Sequence, residues 1–324
     1  MKTYLITGAA GFIGSNLAKH FMAEHEVLVV DSFRSNKTFS NGNLRSFGHF
    51  KNLLGFDGEI YCGDICDEKT MQKIRHFKPD IIFHEAAISD TTVSEQDELL
   101  KVNLNSFCDL LEISRDLNAK LVYASSAATY GNASAPQKVW ECENPNNVYG
   151  FSKLMMDKTA LKFDKEFGTK TIGLRYFNVY GGGEFFKNKT ASMVLGFGLQ
   201  ILGGNAPKLF NGSDKIFRDF IYVRDIINAN ELAMKSDTNG VFNVGTGNAR
   251  TFQDIADILQ NELGTSYGNE YIPNPFSTQY QFFTQADIEP TKNALGYTPK
   301  WTLEAGIKDY LPEIIKIHES LKNG

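Results

Sequence analysis

Tyr149 and Lys153 stand four residues apart, a spacing that puts both side chains on one face of a helix. A free phenol has a pKa of about 10 and is a poor base at neutral pH. A neighbouring ammonium favours the phenolate, and a positively charged ring close by would do the same. Bringing the pKa to about 7 takes roughly 4 kcal/mol, at about 1.4 kcal/mol per unit. Ser126, closing Ala124-Ser125-Ser126, can donate to the same oxygen. This trio suits proton transfer to and from a substrate hydroxyl. A Tyr and a Lys at this spacing are often plain surface residues, and what sets this pair apart is the chain that precedes it.

Gly8-x-x-Gly11-x-x-Gly14 lies between a strand-like and a helix-like segment. The first glycine permits a tight turn, the second lets a pyrophosphate approach the backbone, and the third allows close helix–strand contact. Phe12 and Ile13 are expected at the cofactor with them, because the helix N-terminus offers free N–H groups and partial positive charge. Asp31, at the end of the next strand, suits a ribose hydroxyl pair and points to NAD. Ser32 follows it, and then Arg34, Lys37, Arg45 and Lys51, with only Asp57 as an acid before Glu59. Such cations can neutralise a 2′-phosphate, although a solvated basic loop would look the same. The balance favours NADP, with NAD tolerated. Asp64-Ile65 is positioned for the adenine, and Glu85-Ala86-Ala87-Ile88-Ser89 for the cofactor's central portion, since ligands gather at strand C-termini.

The elements that position these residues alternate. Strands are expected at Thr3–Ile6, Val27–Val30, Glu59–Gly63, Ile81–His84, Leu121–Ser125 and Thr171–Tyr176. Helices are expected from Phe12, over Glu68–Phe77, Leu99–Leu117 and Val148–Phe167. This rhythm means an α/β, doubly wound parallel (Rossmann) sheet covered on both faces. After about residue 180 the pattern breaks into short strands near Lys208–Phe210, Phe217–Tyr222 and Val241–Val244. The expected division is a dinucleotide-binding domain over 1–177 and a smaller mixed α/β substrate lobe over 178–324, some of whose segments return to the first sheet. A cleft between the lobes is the expected ligand site.

The 324 residues include 42% hydrophobic and 22% charged residues, which excludes a disordered or coiled-coil chain. A formal net charge of −5 gives no reason to expect nucleic-acid or membrane binding. Cys62, Cys66, Cys108 and Cys142 form no disulfide framework and no zinc pattern, so no metal is expected and the thiols fit a reducing compartment. The apolar N-terminus is interrupted by Gly8, Gly11 and Gly14, unlike a signal peptide. The uncharged run from Thr190 to Pro207 is interrupted too often to span a membrane and reads as a buried helix plus loop. The expected location is cytoplasmic.

Taken together, the glycine motif, Ser126 and Tyr149-x-x-x-Lys153 resemble the extended short-chain dehydrogenase/reductase superfamily, whose members mostly act on nucleotide sugars. Within it the chain is similar to the ADP-glyceromanno-heptose 6-epimerases. The likeness runs through Phe83–Ala87, Tyr123–Gly131, Asn147–Lys153, Arg175–Gly181, Pro207–Phe210, Arg218–Val223, Phe242–Gly247 and Phe283–Asp287. It implies an isomerase of carbohydrate metabolism, acting in lipopolysaccharide core biosynthesis. The hydroxyl-bearing C6 of the heptose would give hydride to tightly held NADP+, and the transient ketone would take it back on the opposite face. Lys187 is then the second acid/base. Asn178, Lys189, Phe210, Asn211, Gly212, Ser213, Arg218 and Tyr280 would hold the ADP-sugar with Ser126, Arg218 at its diphosphate. Asn103 and Val179 would contact the cofactor. The family also implies a homo-oligomer, often a pentamer.

The chain departs from that pattern at Gly182-Gly183, where Pro-Arg is usual, so the loop is expected to be more flexible and to lack one cation. Gly196 replaces a substrate-contacting His, Ser32 an Asn, and the order at Lys37-Thr38 is shifted. A 4,6-dehydratase would need an Asp-Glu pair where Ala127-Ala128 stands. A hexose 4-epimerase shares the catalytic residues and stays open, as does a non-catalytic NADP-binding regulator, which would characteristically lack the Tyr.

Overall fold

The computed structural model describes residues 1–274 and 282–323. Its first half is built from strands β1 (Thr3–Thr7), β2 (Glu26–Asp31), β3 (Glu59–Cys62), β4 (Ile81–His84), β5 (Lys120–Ser126) and β6 (Lys170–Tyr176). The helices between them are α1 (Phe12–Phe21), α2 (Glu68–Phe77), α3 (Gln96–Leu100), α4 (Ser106–Leu117) and α5 (Val148–Phe167). The single helix expected over Leu99–Leu117 is interrupted by a π-helical turn, Lys101–Asn105. Such turns re-aim side chains and often sit near functional sites.

The second half adds β7 (Asn178–Tyr180), α6 (Met193–Leu202), β8 (Lys208–Phe210), β9 (Phe217–Tyr222), α7 (Val223–Lys235), β10 (Gly240–Val244), β11 (Ala249–Thr251), α8 (Phe252–Leu263), β12 (Glu270–Ile272), α9 (Glu289–Leu295) and α10 (Leu303–Lys322). The main sheet has the order β10-β6-β5-β4-β1-β2-β3, and each pair in it is parallel. The second half thus returns a seventh strand to the first half's sheet. The order reverses between β1 and β4, which opens a crevice at their C-terminal ends. A three-stranded sheet, β11-β9-β7, and a two-stranded one, β12-β8, belong to the smaller lobe.

Strand alternation decides which face each apolar side chain serves. Tyr4, Ile6, Val27, Val29, Phe83, Val122 and Leu174 pack with Leu17 and Phe21 of α1 and with Ile226 and Ala229 of α7. Their neighbours Leu5, Leu28, Val30, Ile82 and Leu121 face the other way, onto Met71, Ile74, Leu110, Leu111 and Met156. The lobe has its own core, where Val194, Phe197 and Ile201 of α6 meet Ile255 and Leu259 of α8 and Ile307, Tyr310 and Ile314 of α10. The Thr190–Pro207 run is therefore a buried helix followed by a loop. Among the described residues no helix is long and apolar enough to cross a membrane.

Candidate active site

The turn after β1 is tight because α1 comes down on it. A Cβ on Gly14 would lie 2.4 Å from the Gly8 carbonyl oxygen, so only glycine lets the helix start there. Gly11 caps α1 with no side-chain hydrogen bond to the first-turn N–H groups. Gly8, Gly11, Phe12, Ile13 and Gly14 form one end of a cleft of about 890 Å³. Asp31, Ser32, Lys37, Asp64, Ile65, Glu85, Ala86, Ala87, Ser89 and Val179 continue its lining. An extended cleft over uncapped helix N–H groups fits a dinucleotide pyrophosphate.

The structure adds detail to several cofactor assignments. The Arg34 guanidinium does not line the cleft. It donates to the Phe186 carbonyl oxygen at 2.5 Å, because a segment from the smaller lobe reaches it first. Asn103 does not line the cleft either. The π-helical turn directs it inward, where it accepts from Ile88 N at 2.8 Å and donates to Ile88 O at 3.1 Å and Ser152 Oγ at 3.0 Å. It pins the Glu85–Ser89 segment from behind. The Asp31 carboxylate accepts from Ala10 N at 2.9 Å and Phe33 N at 2.7 Å, so backbone groups already engage both oxygens, and burial raises its pKa. Lys37 and Arg45 both line the cleft, but Arg45 is paired with Glu98 at 2.5 Å.

Tyr149 and Lys153 open α5, whose N-cap Asn147 accepts from Gly150 N at 2.8 Å. A Cβ on Gly150 would meet the Ala128 carbonyl oxygen at 2.4 Å, so glycine lets α5 close on the turn after Ser126. Ser126, Tyr149 and Lys153 line the cleft together. Lys153 Nζ donates to Ala124 O at 2.7 Å and lies 6.0 Å from the Tyr149 ring centroid. Burial pulls the Lys153 pKa down to about 8 against the opposing pull of Glu85 and Asp157. The Tyr149 pKa is not lowered by the protein itself. Burial raises it, the Ser126 hydrogen bond draws it back, and the Glu85 charge raises it further. Desolvation disfavours the charged form of each group, so it works against the phenolate as well as the ammonium.

Lys187 is in the cleft lining, on a 3-10 turn over Phe185–Thr190. Its Nζ is 5.7 Å from the Phe12 ring centroid. Burial lowers its pKa, and Glu184 acts against that. The preceding Gly182-Gly183 pair is not left loose. Asn16 Nδ2 donates to Gly182 O at 2.9 Å, Asn52 Nδ2 to Gly183 O at 3.1 Å, and Gly183 N to Glu313 Oε1 at 2.9 Å.

Of the residues assigned to an ADP-sugar, Asn178 lines the cleft. Phe210 and Ser213 line a smaller pocket of about 50 Å³ that shares Met193 and Phe252 with it. Arg218 is buried with its guanidinium 5.9 Å over the Phe252 ring. Asn211 and Gly212 are exposed in the adjoining turn, and Lys189 is exposed outside both spaces. Tyr280 lies outside the described residues.

Sequence reasoning missed the support beneath α5. Asp157 accepts from Arg175 Nε at 2.9 Å, Ser125 Oγ at 2.9 Å and Tyr123 Oη at 3.1 Å. It stands eight residues after Tyr149 and four after Lys153, on the same helix face, and that spacing was the available signal. Among the described residues no group of acids, histidines and cysteines could hold a metal.

A family model, the NAD dependent epimerase/dehydratase family, matches residues 4–245. The ADP-L-glycero-D-manno-heptose-6-epimerase of Helicobacter pylori is 48% identical, with a TM-score of 0.89 over 97% of this chain and 96% of that one. The UDP-glucose 4-epimerase of Thermotoga maritima, solved with UDP-glucose, is 30% identical, with a TM-score of 0.86 over 97% and 99% of the two chains. The UDP-glucose 4-epimerase of Thermus thermophilus, solved with NAD, is 28% identical, with a TM-score of 0.79 over 97% and 99%. A doubly wound sheet, a cleft that runs from the glycine turn to Tyr149 and matches of this extent lead to one conclusion: the chain belongs to the NAD-dependent epimerase/dehydratase family and is a nucleotide-sugar epimerase that works with a nicotinamide cofactor.

Proposed function

We propose that the chain interconverts ADP-D-glycero-D-manno-heptose and ADP-L-glycero-D-manno-heptose at C6, in lipopolysaccharide core synthesis, with tightly held NADP and NAD tolerated. The cofactor, when bound, supplies hydride acceptance and return. Gly8, Gly11 and Gly14 with the first turn of α1 would hold its pyrophosphate, Asp64 and Ile65 its adenine, and Lys37 a 2′-phosphate.

The observation that carries this reading is that Lys187 and Tyr149 line one cleft from different elements. Inverting a carbinol through a ketone turns the oxygen to a new direction, so one acid/base group serves both half-reactions poorly. Tyr149 takes the C6 hydroxyl proton in one half-reaction, its oxygen engaged by Ser126 and its phenolate supported by Lys153. Lys187 handles the proton for the other. The 48% identity to the Helicobacter pylori heptose epimerase supports the choice of sugar. Asn178, Phe210, Ser213 and Arg218 are assigned the ADP-sugar, with Arg218 at the diphosphate because a guanidinium fork matches phosphate oxygens.

The test is incubation with ADP-D-glycero-D-manno-heptose, following C6 configuration by NMR. Appearance of the L-glycero epimer is expected. Conversion of a UDP-hexose with no change in the heptose would replace this reading with a hexose 4-epimerase, and retention of NADP(H) with no turnover of any sugar nucleotide would replace it with a regulator.

A further inference from the structure

Lys187 sits on a turn whose backbone is bonded within itself, Lys187 N donating to Glu184 O at 2.9 Å and Thr190 Oγ1 to Lys187 O at 2.9 Å. Asn188, directly after it, has φ 52° and ψ −123°, a backbone conformation that a non-glycine residue keeps only when its surroundings impose it. The base of the segment is fixed by Glu184, which accepts from Gly181 N at 3.2 Å, Ser192 N at 2.6 Å and Ser192 Oγ at 2.7 Å. Those bonds fix the backbone of the turn, and a long flexible amine still has to be aimed from it into the cleft.

The tip is held from the other lobe. The Phe186 ring stacks on the His49 imidazole at 3.7 Å between centroids and 3° between planes. The Arg34 guanidinium lies 5.5 Å over the same ring and donates to the Phe186 carbonyl oxygen. His49 is itself anchored, its N–H donating to Ala10 O at 2.9 Å and its Nδ1 accepting from Lys51 N at 3.1 Å. Arg34 N donates to Gly48 O at 2.8 Å. The seat is therefore the segment after β2 that folds back over the glycine turn.

We propose that Phe186, clamped by His49 and Arg34, is a latch that holds Lys187 in the cleft, which makes these three positioning residues for the Lys187 proton transfer. The proposal rests on the reading of Lys187 as the second acid/base. Phe186, His49 and Arg34 are absent from the cleft lining, so their influence on the reaction runs through the Lys187 turn. A displacement of about 1 Å at a reacting group can cost about 100-fold in rate. The latch adds to the bonds from Asn16 to Gly182 O and from Asn52 to Gly183 O, which already join the start of this segment to the wall carrying the cofactor turn.

The experiment compares Phe186→Ala, His49→Ala and His49→Phe with the parent holoenzyme. Two quantities are measured at matched cofactor occupancy: kcat and KM for heptose epimerisation, and the NMR titration of the Lys187 amine after reductive ¹³C-methylation, assigned with Lys187→Arg. For Phe186→Ala and His49→Ala, kcat should fall about 10- to 100-fold with little change in KM. In both, the Lys187 resonance should titrate at higher pH, as for an amine released to water. His49→Phe keeps a flat ring against Phe186 and should restore both readouts. Parental kcat in Phe186→Ala, or a Lys187 titration unmoved in it, would overturn the latch. If the parent fails to turn over the heptose, the functional reading fails, while the titration still decides whether Phe186 holds Lys187.

Discussion

The Lys153 ammonium donates to the Ala124 carbonyl oxygen at 2.7 Å, so the C-terminal end of β5 aims the cation that the Tyr149 phenolate requires. Tyr149 itself is held as a neutral phenol by burial, so proton removal depends on charges brought to it. Lys153→Met and Tyr149→Phe should each lower the epimerisation rate by roughly 10²–10⁴-fold. Steady-state rates with the heptose substrate, beside a cofactor titration of each variant, check this. A Tyr149→Phe enzyme with parental turnover would remove the phenol from the mechanism.

Lys187→Met should abolish epimerisation to a similar degree, roughly 10²–10⁴-fold, while cofactor affinity is kept. Near-parental turnover would mean that one acid/base group serves both half-reactions.

Glu85 lines the cleft beside Lys153 and accepts from Tyr176 Oη at 2.8 Å, which in turn accepts from Asn230 Nδ2 at 2.8 Å. Burial pushes its pKa up from 4.5 to about 7, against the Tyr176 hydrogen bond and the Lys153 charge. The folded state therefore binds the proton more tightly than the unfolded chain between those values. The contribution to stability is fully present below pH 4.5 and lost as pH rises through about 7. Relative to Glu85→Gln, the cofactor-free parent should lose roughly 3 kcal/mol of stability across that window. Urea unfolding of both proteins at either end of it measures the difference, and a constant difference would contradict the assignment.

Asn103→Ala leaves the Ile88 N–H and carbonyl without their partner. It should destabilise the fold by about 1–3 kcal/mol. Because Ile88 sits in the Glu85–Ser89 wall of the cleft, cofactor affinity should fall with it, whereas direct loss of a cofactor contact would weaken binding with stability unchanged. Thermal unfolding and cofactor titration of the one variant separate the two.

What was legible in the sequence was local. Val148–Phe167 is bounded as read, because Asn147 caps it and Gly168 ends it in the left-handed region. The glycine turn and the Tyr–Lys pair carry their geometry in their spacing. What was not legible depends on residues far apart in the chain. Arg34 reads as a phosphate cation in the sequence, and its bond to the Phe186 carbonyl oxygen, over 150 positions away, is not visible there. Asn103 came from the family resemblance alone, and the π-helical turn that carries it leaves no pattern in the sequence. Spacing shows the ammonium near Tyr149 but not the burial of both groups, which raises the Tyr149 pKa and lowers that of Lys153.

The most direct test of redox inversion within one cleft is epimerisation of ADP-heptose carrying deuterium at C6, run in ordinary water. If hydride leaves C6 and returns to it through the held cofactor, the epimer formed keeps its deuterium. Product with hydrogen from solvent at C6 would contradict the account, since it would mean that a proton, and not a hydride, is exchanged at that carbon.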